Sequence, residues 1–186
     1  LNRLLFMVSL IQILLTGCSQ GQTLLLKNSA ISPLNKKSGE LLRAAVLQRD
    51  TSELARYFCG LEEKRISEEL KTNSQKMAFW INVYNGFIQM ELRRDTVQFA
   101  NRNRFFTEKK HCIAGKHYSF DDIEHEILRG NEWKFGLGYV PSISSKRLRQ
   151  WALPKADPRL HFALNCGAVS CPTVRLFRPD SLEDQL

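Results

Sequence analysis

Residues 157–172, with the sequence DPRLHFALNCGAVSCP, carry the side chains with the clearest potential for chemistry. Cys166 and Cys171 stand close together in this stretch, and His161 precedes them. A cysteine becomes an effective nucleophile when its pKa falls from about 8.5 and when a base and an orienting group lie nearby. The stretch therefore predicts either a thiol site, with Cys166 as nucleophile and Cys171 as the alternate, or a structural Cys166–Cys171 pair.

The base of such a site must come from one of the chain's histidines. His125 is the preferred base, and Glu124 beside it is a candidate for orienting the imidazole. His161 competes for the base role if its side of the chain faces the site. The backbone N–H groups around residues 167–168 are candidates for an oxyanion hole. Together these residue types indicate a cysteine-dependent hydrolase or transferase that acts on amide bonds.

Residues 75–94 are predicted to form the strongest helix of the chain, with two distinct faces. Its apolar face comprises Met77, Trp80, Ile81, Tyr84, Phe87 and Ile88. Its opposite stripe comprises Ala78, Asn82, Asn85, Gly86 and Gln89. The stripe is either an ordinary exposed surface or the buried side of a central helix whose amides bond to backbone or line a pocket. In the second case Asn82, Asn85 and Trp80 are candidates for substrate binding, and either asparagine is a further candidate for orienting the base.

A second helix is predicted over residues 120–129. Ser119 and Asp122 form a capping box at its start, and Gly130 ends it. Glu124 projects within the apolar face of this helix, with His125 at the border of that face. A carboxylate in an apolar face needs a partner, or its pKa rises. Glu124 and His125 therefore belong either to a buried salt bridge or to a functional site.

The remaining patterns indicate an α+β fold. Alternating apolar residues at 160, 162 and 164 predict a strand over residues 160–165, ended by a glycine elbow at Gly167. Residues 110–118 predict a β-hairpin that turns near Gly115. We expect a helical N-terminal half packed on a small mixed, mostly antiparallel sheet that contains both.

The N-terminus has the layout of a secretory signal, with Arg3 before an apolar run that is short for a membrane span. The run ends in Leu15-Thr16-Gly17-Cys18, which resembles a bacterial lipobox. The resemblance implies a signal peptide over 1–17, a lipidated tether over 18–38, and an outer-membrane lipoprotein facing the periplasm. The alternative is a short membrane anchor that is not cleaved. The globular domain would occupy residues 39–186.

The charge and the cysteine content of the chain limit which partners and cofactors we expect. The formal net charge is +8, but the basic residues are scattered and form no nucleic-acid-binding motif, so we expect no nucleic-acid partner. After Cys18, four cysteines remain, at positions 59, 112, 166 and 171, and they allow three full pairings. No pair has zinc-site spacing with its own histidines, and no metal or cofactor is expected.

Three segments of this chain closely resemble, in order, the family known as domain of unknown function 547. They are AFWINVYN at 78–85, DIEHEILR at 122–129, and DPRLHFALNCGAVSCP at 157–172. The likeness covers roughly residues 70–186, and it implies that further helical residues follow position 186. The family's activity is unsettled, so the resemblance adds little about function. The expected partners are the membrane, through the lipid on Cys18, and a peptide or polymer of the cell envelope.

Three functions stay open on the sequence alone. The first is the thiol enzyme acting on envelope amide bonds. The second is a redox or structural use of Cys166 and Cys171, whose spacing differs from the CxxC of thioredoxin-like enzymes. The third is a non-catalytic envelope binding or scaffold domain, in which Trp80 packs the core, the amides satisfy backbone groups, and both cysteines are buried thiols.

Overall fold

The computed structural model of the chain describes residues 31–94, 98–130, 146–168, 171 and 173–186. The predicted signal peptide and Cys18 lie outside these ranges. The elements, in order, are helices α1 (Pro33–Val46), α2 (Ser52–Cys59), α3 (Glu63–Glu69), α4 (Asn73–Arg94), a 3-10 turn (Gln98–Ala100), α5 (Arg102–Thr107), strands β1 (His111–Ile113) and β2 (Lys116–Tyr118), a π-helix (Asp122–Leu128), α6 (Lys146–Trp151), α7 (Leu160–Ala163) and α8 (Leu182–Gln185). No helix in the described ranges is both long and apolar enough to cross a bilayer.

Helix α4 is the central helix of the fold, and its observed range agrees closely with the helix predicted over residues 75–94. Thr72 and Gln75 start it with a capping box, in which the Gln75 N–H donates to Thr72 Oγ1 at 3.1 Å and the Thr72 N–H donates to Gln75 Oε1 at 3.1 Å. Asn82 and Asn85 are both fully buried. The polar stripe is therefore the buried side of a central helix and not a solvent-exposed face.

Helix α1 packs along α4 at the point where α4 has a glycine. A Cβ on Gly86 would lie 3.0 Å from the Leu41 Cγ, so a side chain there would require Leu41 to shift. Helix α1 starts with Ser32 as N-cap, whose Oγ accepts the Asn35 N–H at 3.1 Å, and with Pro33 in the first turn. The predicted tether over 18–38 thus overlaps α1 from residue 33 onward.

The predicted hairpin is confirmed. Strands β1 and β2 pair antiparallel through a two-residue turn, Ala114-Gly115, in which both residues have positive φ. The tip docks on the end of α2, where the Ala114 N–H donates to the Phe58 carbonyl at 2.9 Å and the Gly115 N–H donates to the Cys59 carbonyl at 2.7 Å. A disulfide between Cys59 and Cys112 fixes the same corner. With this small antiparallel sheet and its many helices, the fold is α+β as predicted.

The strand predicted over residues 160–165 is wrong. Residues Leu160–Ala163 form the short helix α7. Leu160, Ala163 and Leu164 are buried, whereas Phe162 is 73% exposed. Apolar residues at positions i, i+3 and i+4 face one side of a helix, and over so short a window this spacing cannot be told from an alternating strand pattern.

The helix predicted over 120–129 is present, but its central part is a π-helix, Asp122–Leu128. Its capping box is confirmed, because the Asp122 N–H donates to Ser119 Oγ at 3.0 Å and the Ser119 N–H donates to Asp122 Oδ2 at 2.9 Å. Gly130 follows with a φ of +67°, and a Cβ there would lie 2.9 Å from the Leu153 carbonyl oxygen. The π-helix therefore ends where the chain before α7 packs against it.

Candidate functional site

An open cavity of about 330 Å³ brings together several of the candidate residues. Its lining comprises Tyr84, Arg102, Asn103, Phe106, Asp121, Glu124, His125 and Cys166. The preferred nucleophile, the preferred base and its neighbouring carboxylate thus share one cavity, although they come from distant parts of the chain. The other predicted residues, Trp80, Asn82, Asn85, Cys171 and His161, do not line it.

Cys166 is held at the cavity by a clamp on the backbone before it. The Asn85 side chain donates to the Ala163 carbonyl at 2.9 Å and accepts the Asn165 N–H at 2.9 Å. Gly167 then turns the chain with a φ of +78°, and a Cβ there would lie 2.7 Å from Leu92 Cδ1. Asn85 therefore positions the backbone that leads into Cys166, the candidate nucleophile.

Asn82, one turn earlier on α4, forms the same pair of bonds with a different segment. Asn82 donates to the Phe177 carbonyl at 2.8 Å and accepts the Phe177 N–H at 3.0 Å. Trp80 is fully buried, with its ring 5.6 Å from that of Trp151. Both residues hold the core together, so neither is placed to bind a substrate. His161 is exposed on α7.

The two thiols of the predicted pair are free and lie in contact. The Cys166 N–H donates to Cys171 Sγ at 3.2 Å, and the Cys171 N–H donates to the Ala168 carbonyl at 2.9 Å. The Gly167 N–H donates to Asn165 Oδ1 at 3.0 Å. This donor of the predicted oxyanion hole is therefore already engaged within the turn.

The surroundings of Cys166 and Cys171 shift the pKa values of the two thiols in opposite directions. Burial alone would raise the pKa of the Cys166 thiol. Hydrogen bonds from Cys171, Ala168 and Arg102 outweigh burial, so the pKa of Cys166 lies below the ordinary cysteine value. Burial and the neighbouring Cys166 raise the pKa of Cys171. Cys166 is therefore the more readily ionised sulfur of the pair.

Glu124 has partners on both of its oxygens. The Arg129 guanidinium donates to Oε1 at 2.9 and 3.1 Å, and the Tyr84 hydroxyl donates to Oε2 at 3.2 Å. The π-helix allows the ion pair, because its i→i+5 hydrogen bonds bring residues five positions apart onto one face. Glu124 thus forms the predicted salt bridge and also lines the cavity.

Tyr84 and Arg102 line the site but were not among the predicted site residues. Burial, together with the nearby Glu124 and Cys166, raises the pKa of Tyr84 well above its ordinary value, so its hydroxyl remains a donor. The sequence signal for Tyr84 was a phenol in an otherwise apolar face, since a buried hydroxyl needs a partner. For Arg102 the signal was its spacing from Phe99 and Phe106, whose rings it overlies at 4.8 and 5.7 Å.

The structure was also searched for groups of potential metal ligands. Within the described part of the chain, no group of three or more His, Cys, Asp or Glu residues is arranged to hold a metal ion. The cavity itself offers a thiol, an imidazole, a phenol and charged side chains.

The family match covers residues 67–186, under the description "Protein of unknown function, DUF547". This chain belongs to that family. The match confirms the resemblance and contains the whole lining of the cavity, whereas α1, α2 and Cys59 precede it. The DUF547 chain matches no curated protein and no solved structure.

Proposed function

We propose that this DUF547 protein is a cysteine-dependent hydrolase or transferase that acts on amide bonds, with Cys166 as nucleophile and His125 as base. The observation that supports this most is the shared cavity of Cys166, His125 and Glu124. A free thiol and an imidazole that line one solvent-connected cavity are the two groups that cysteine-dependent catalysis uses.

Each residue then has a chemical role. The Cys166 thiolate attacks the amide carbonyl, and His125 carries a proton to the departing amine. The resulting thioester is cleaved by water in a hydrolase or by an acceptor amine in a transferase. Glu124, neutralised by Arg129 and held by Tyr84, keeps the His125 segment of the π-helix in place.

We further propose that the protein is lipid-anchored through Cys18 and acts in the cell envelope. The LTGC sequence at residues 15–18 supports this location. The Cys59–Cys112 disulfide supports it independently, because such bonds persist in oxidising compartments. The substrate would then be a peptide or polymer of the envelope that contains amide bonds.

A non-catalytic binding or scaffold domain is the second candidate. It is favoured by the structural use of Asn82, Asn85 and Trp80, which all serve the core. In that case Cys166 would behave as an ordinary thiol, and its neighbours would not alter its reactivity.

The two candidates are separated by the rate at which each thiol reacts with iodoacetamide as a function of pH, followed by mass spectrometry. We expect Cys166 to react with an apparent pKa below about 8.5. His125→Ala should shift or slow this reaction, while His161→Ala, in the exposed histidine of α7, should not. Cys166→Ser should abolish amide cleavage or transfer, with a loss of at least about 10³-fold. A Cys166 no more reactive than Cys171, or one indifferent to His125→Ala, would favour the scaffold.

A further inference from the structure

Arg102 stands at the cavity in a distinctive setting. Its guanidinium lies 4.8 Å from the ring centre of Phe99 and 5.7 Å from that of Phe106. It lines the same cavity as Cys166 and is exposed to solvent. Stacking on aromatic rings uses the flat faces of a guanidinium and leaves its N–H edge for oxyanions.

Its ion pairing differs from that of several other arginines. Several arginines have carboxylate partners within ion-pair distance: Arg65 with Glu69, Arg104 with Glu108, Arg129 with Glu124, Arg159 with Asp157 and Arg178 with Asp180. Within the described residues Arg102 forms no such ion pair. Glu124, which lines the same cavity, is already paired with Arg129 at 2.9 Å. Among the residues that the structure describes, Arg102 therefore lines the cavity beside the thiol without an ion pair to either carboxylate of the lining, Asp121 or Glu124.

We propose that Arg102 is a specificity-determining residue of the Cys166 site and that it binds a carboxylate carried by the substrate close to the amide bond under attack. The inference rests on the proposed function and adds the class of substrate. Before the reaction the guanidinium also faces the Cys166 thiolate. When the thiolate becomes a thioester its negative charge disappears, and the guanidinium then interacts with the substrate carboxylate alone.

Two alkylating reagents of similar size test this directly. Iodoacetate carries the carboxylate, and iodoacetamide is its neutral counterpart. The Cys166 thiolate attacks the CH2 carbon of either reagent and displaces iodide, so the ratio of the two rate constants does not depend on the fraction of thiol ionised. We expect Cys166, relative to a cysteine peptide, to favour iodoacetate by about two- to fivefold, which corresponds to one exposed charge pair.

The matched variants are Arg102→Gln and Arg104→Gln. Both remove one positive charge from α5, but Arg104 pairs with Glu108 and does not line the cavity. Arg102→Gln should reduce the iodoacetate preference to that of the peptide, while Arg104→Gln should keep it. Equal unfolding temperatures for the two variants would show that a lost preference does not come from unfolding.

The alkylation experiment distinguishes failure of the Arg102 carboxylate site from failure of Cys166 as the nucleophile. An iodoacetate preference that persists in Arg102→Gln, or a wild-type ratio equal to that of the peptide, would overturn the carboxylate site and leave the nucleophile intact. A Cys166 that reacts with neither reagent would overturn the proposed function and the inference with it. As a second readout, N-acetylalanine should protect Cys166 from iodoacetamide better than N-acetylalaninamide does, and equal protection would count against Arg102.

Discussion

The two cysteine pairs of this chain are built in opposite ways. Cys59 and Cys112 are 53 residues apart in sequence and are joined by a disulfide, with their Cα atoms 4.7 Å apart. Cys166 and Cys171 are near neighbours in sequence, yet both are free thiols, and one lines a cavity. The first pair fixes a corner between α2 and the hairpin, and the second leaves its sulfur atoms available for reaction.

The difference shows that covalent and non-covalent restraints have separate tasks here. The disulfide corner is reinforced by the bonds from Ala114 and Gly115 to the end of α2. The segment that carries Cys166 and Cys171 has no disulfide, since both cysteines are free. It is held instead by the buried Asn85 amide. Stability should therefore depend most on the first region and reactivity most on the second.

Removing the disulfide should have the largest effect on stability. The Cys59→Ala/Cys112→Ala variant should lose about 4 kcal/mol of unfolding free energy, because a bridge over this sequence separation restricts the unfolded chain strongly. Urea denaturation followed by circular dichroism measures the loss. The Cys166 alkylation rate of the folded variant should stay as in the wild type. A large change in that rate would show that the two regions are not independent.

Asn85→Ala should come next and should affect both properties. It leaves the Ala163 carbonyl and the Asn165 N–H without a partner in a buried place, at a cost of about 3 kcal/mol. It should also change the alkylation rate of Cys166, since the clamp directly precedes that residue. Asn82→Ala is the control, because it removes the same two kinds of bond from Phe177. Equal effects of both variants on Cys166 would contradict the positioning role of Asn85.

His111, beside Cys112 in β1, should make the disulfide corner sensitive to acid. Burial, with smaller contributions from Lys110 and His117, lowers the pKa of His111 from 6.5 to about 3. Between about pH 6.5 and pH 3, His111 is therefore protonated in the unfolded chain and neutral in the folded chain. Stability should be greatest above that pH and should fall, by up to about 1.4 kcal/mol per pH unit, towards pH 3. His111→Phe should reduce this slope in urea titrations at several pH values, and an unchanged slope would contradict it.

Tyr84→Phe should have the smallest effect. It removes one hydroxyl that donates to Glu124 at 3.2 Å and leaves the ring packing on Phe120 in place. We expect a loss of about 1 kcal/mol in urea denaturation. Since the Arg129 ion pair remains, the Cys166 alkylation rate should change less than in Asn85→Ala. A larger change would assign Tyr84 a direct part in the reaction.

The local features of the fold were predictable because each depends on a few adjacent residues. The hairpin turn, the Ser119 capping box and the length of α4 all follow from turn chemistry and from helical spacing.

The arrangement of the site depended on contacts that no local pattern contains. Burial of Asn82 and Asn85 was one of two open interpretations, and their partners lie 78 to 95 residues away along the chain. The Glu124–Arg129 pair was hidden because residues five apart lie on different faces of an α-helix and on one face of a π-helix. The choice among three cysteine pairings likewise required the folded corner of α2 and β1.

The positions of the two cysteine pairs also bear on how the chain matures. A polypeptide emerges N-terminus first, and its early segments begin to fold before the later ones are made. Cys59 and Cys112 both precede Cys166, and the hairpin that joins them needs only α2 for its docking. The Cys59–Cys112 bridge can therefore close before Cys166 and Cys171 emerge into the same compartment. Because the two free thiols come later in the chain, an early bridge limits the pairings that they could form with Cys59 or Cys112.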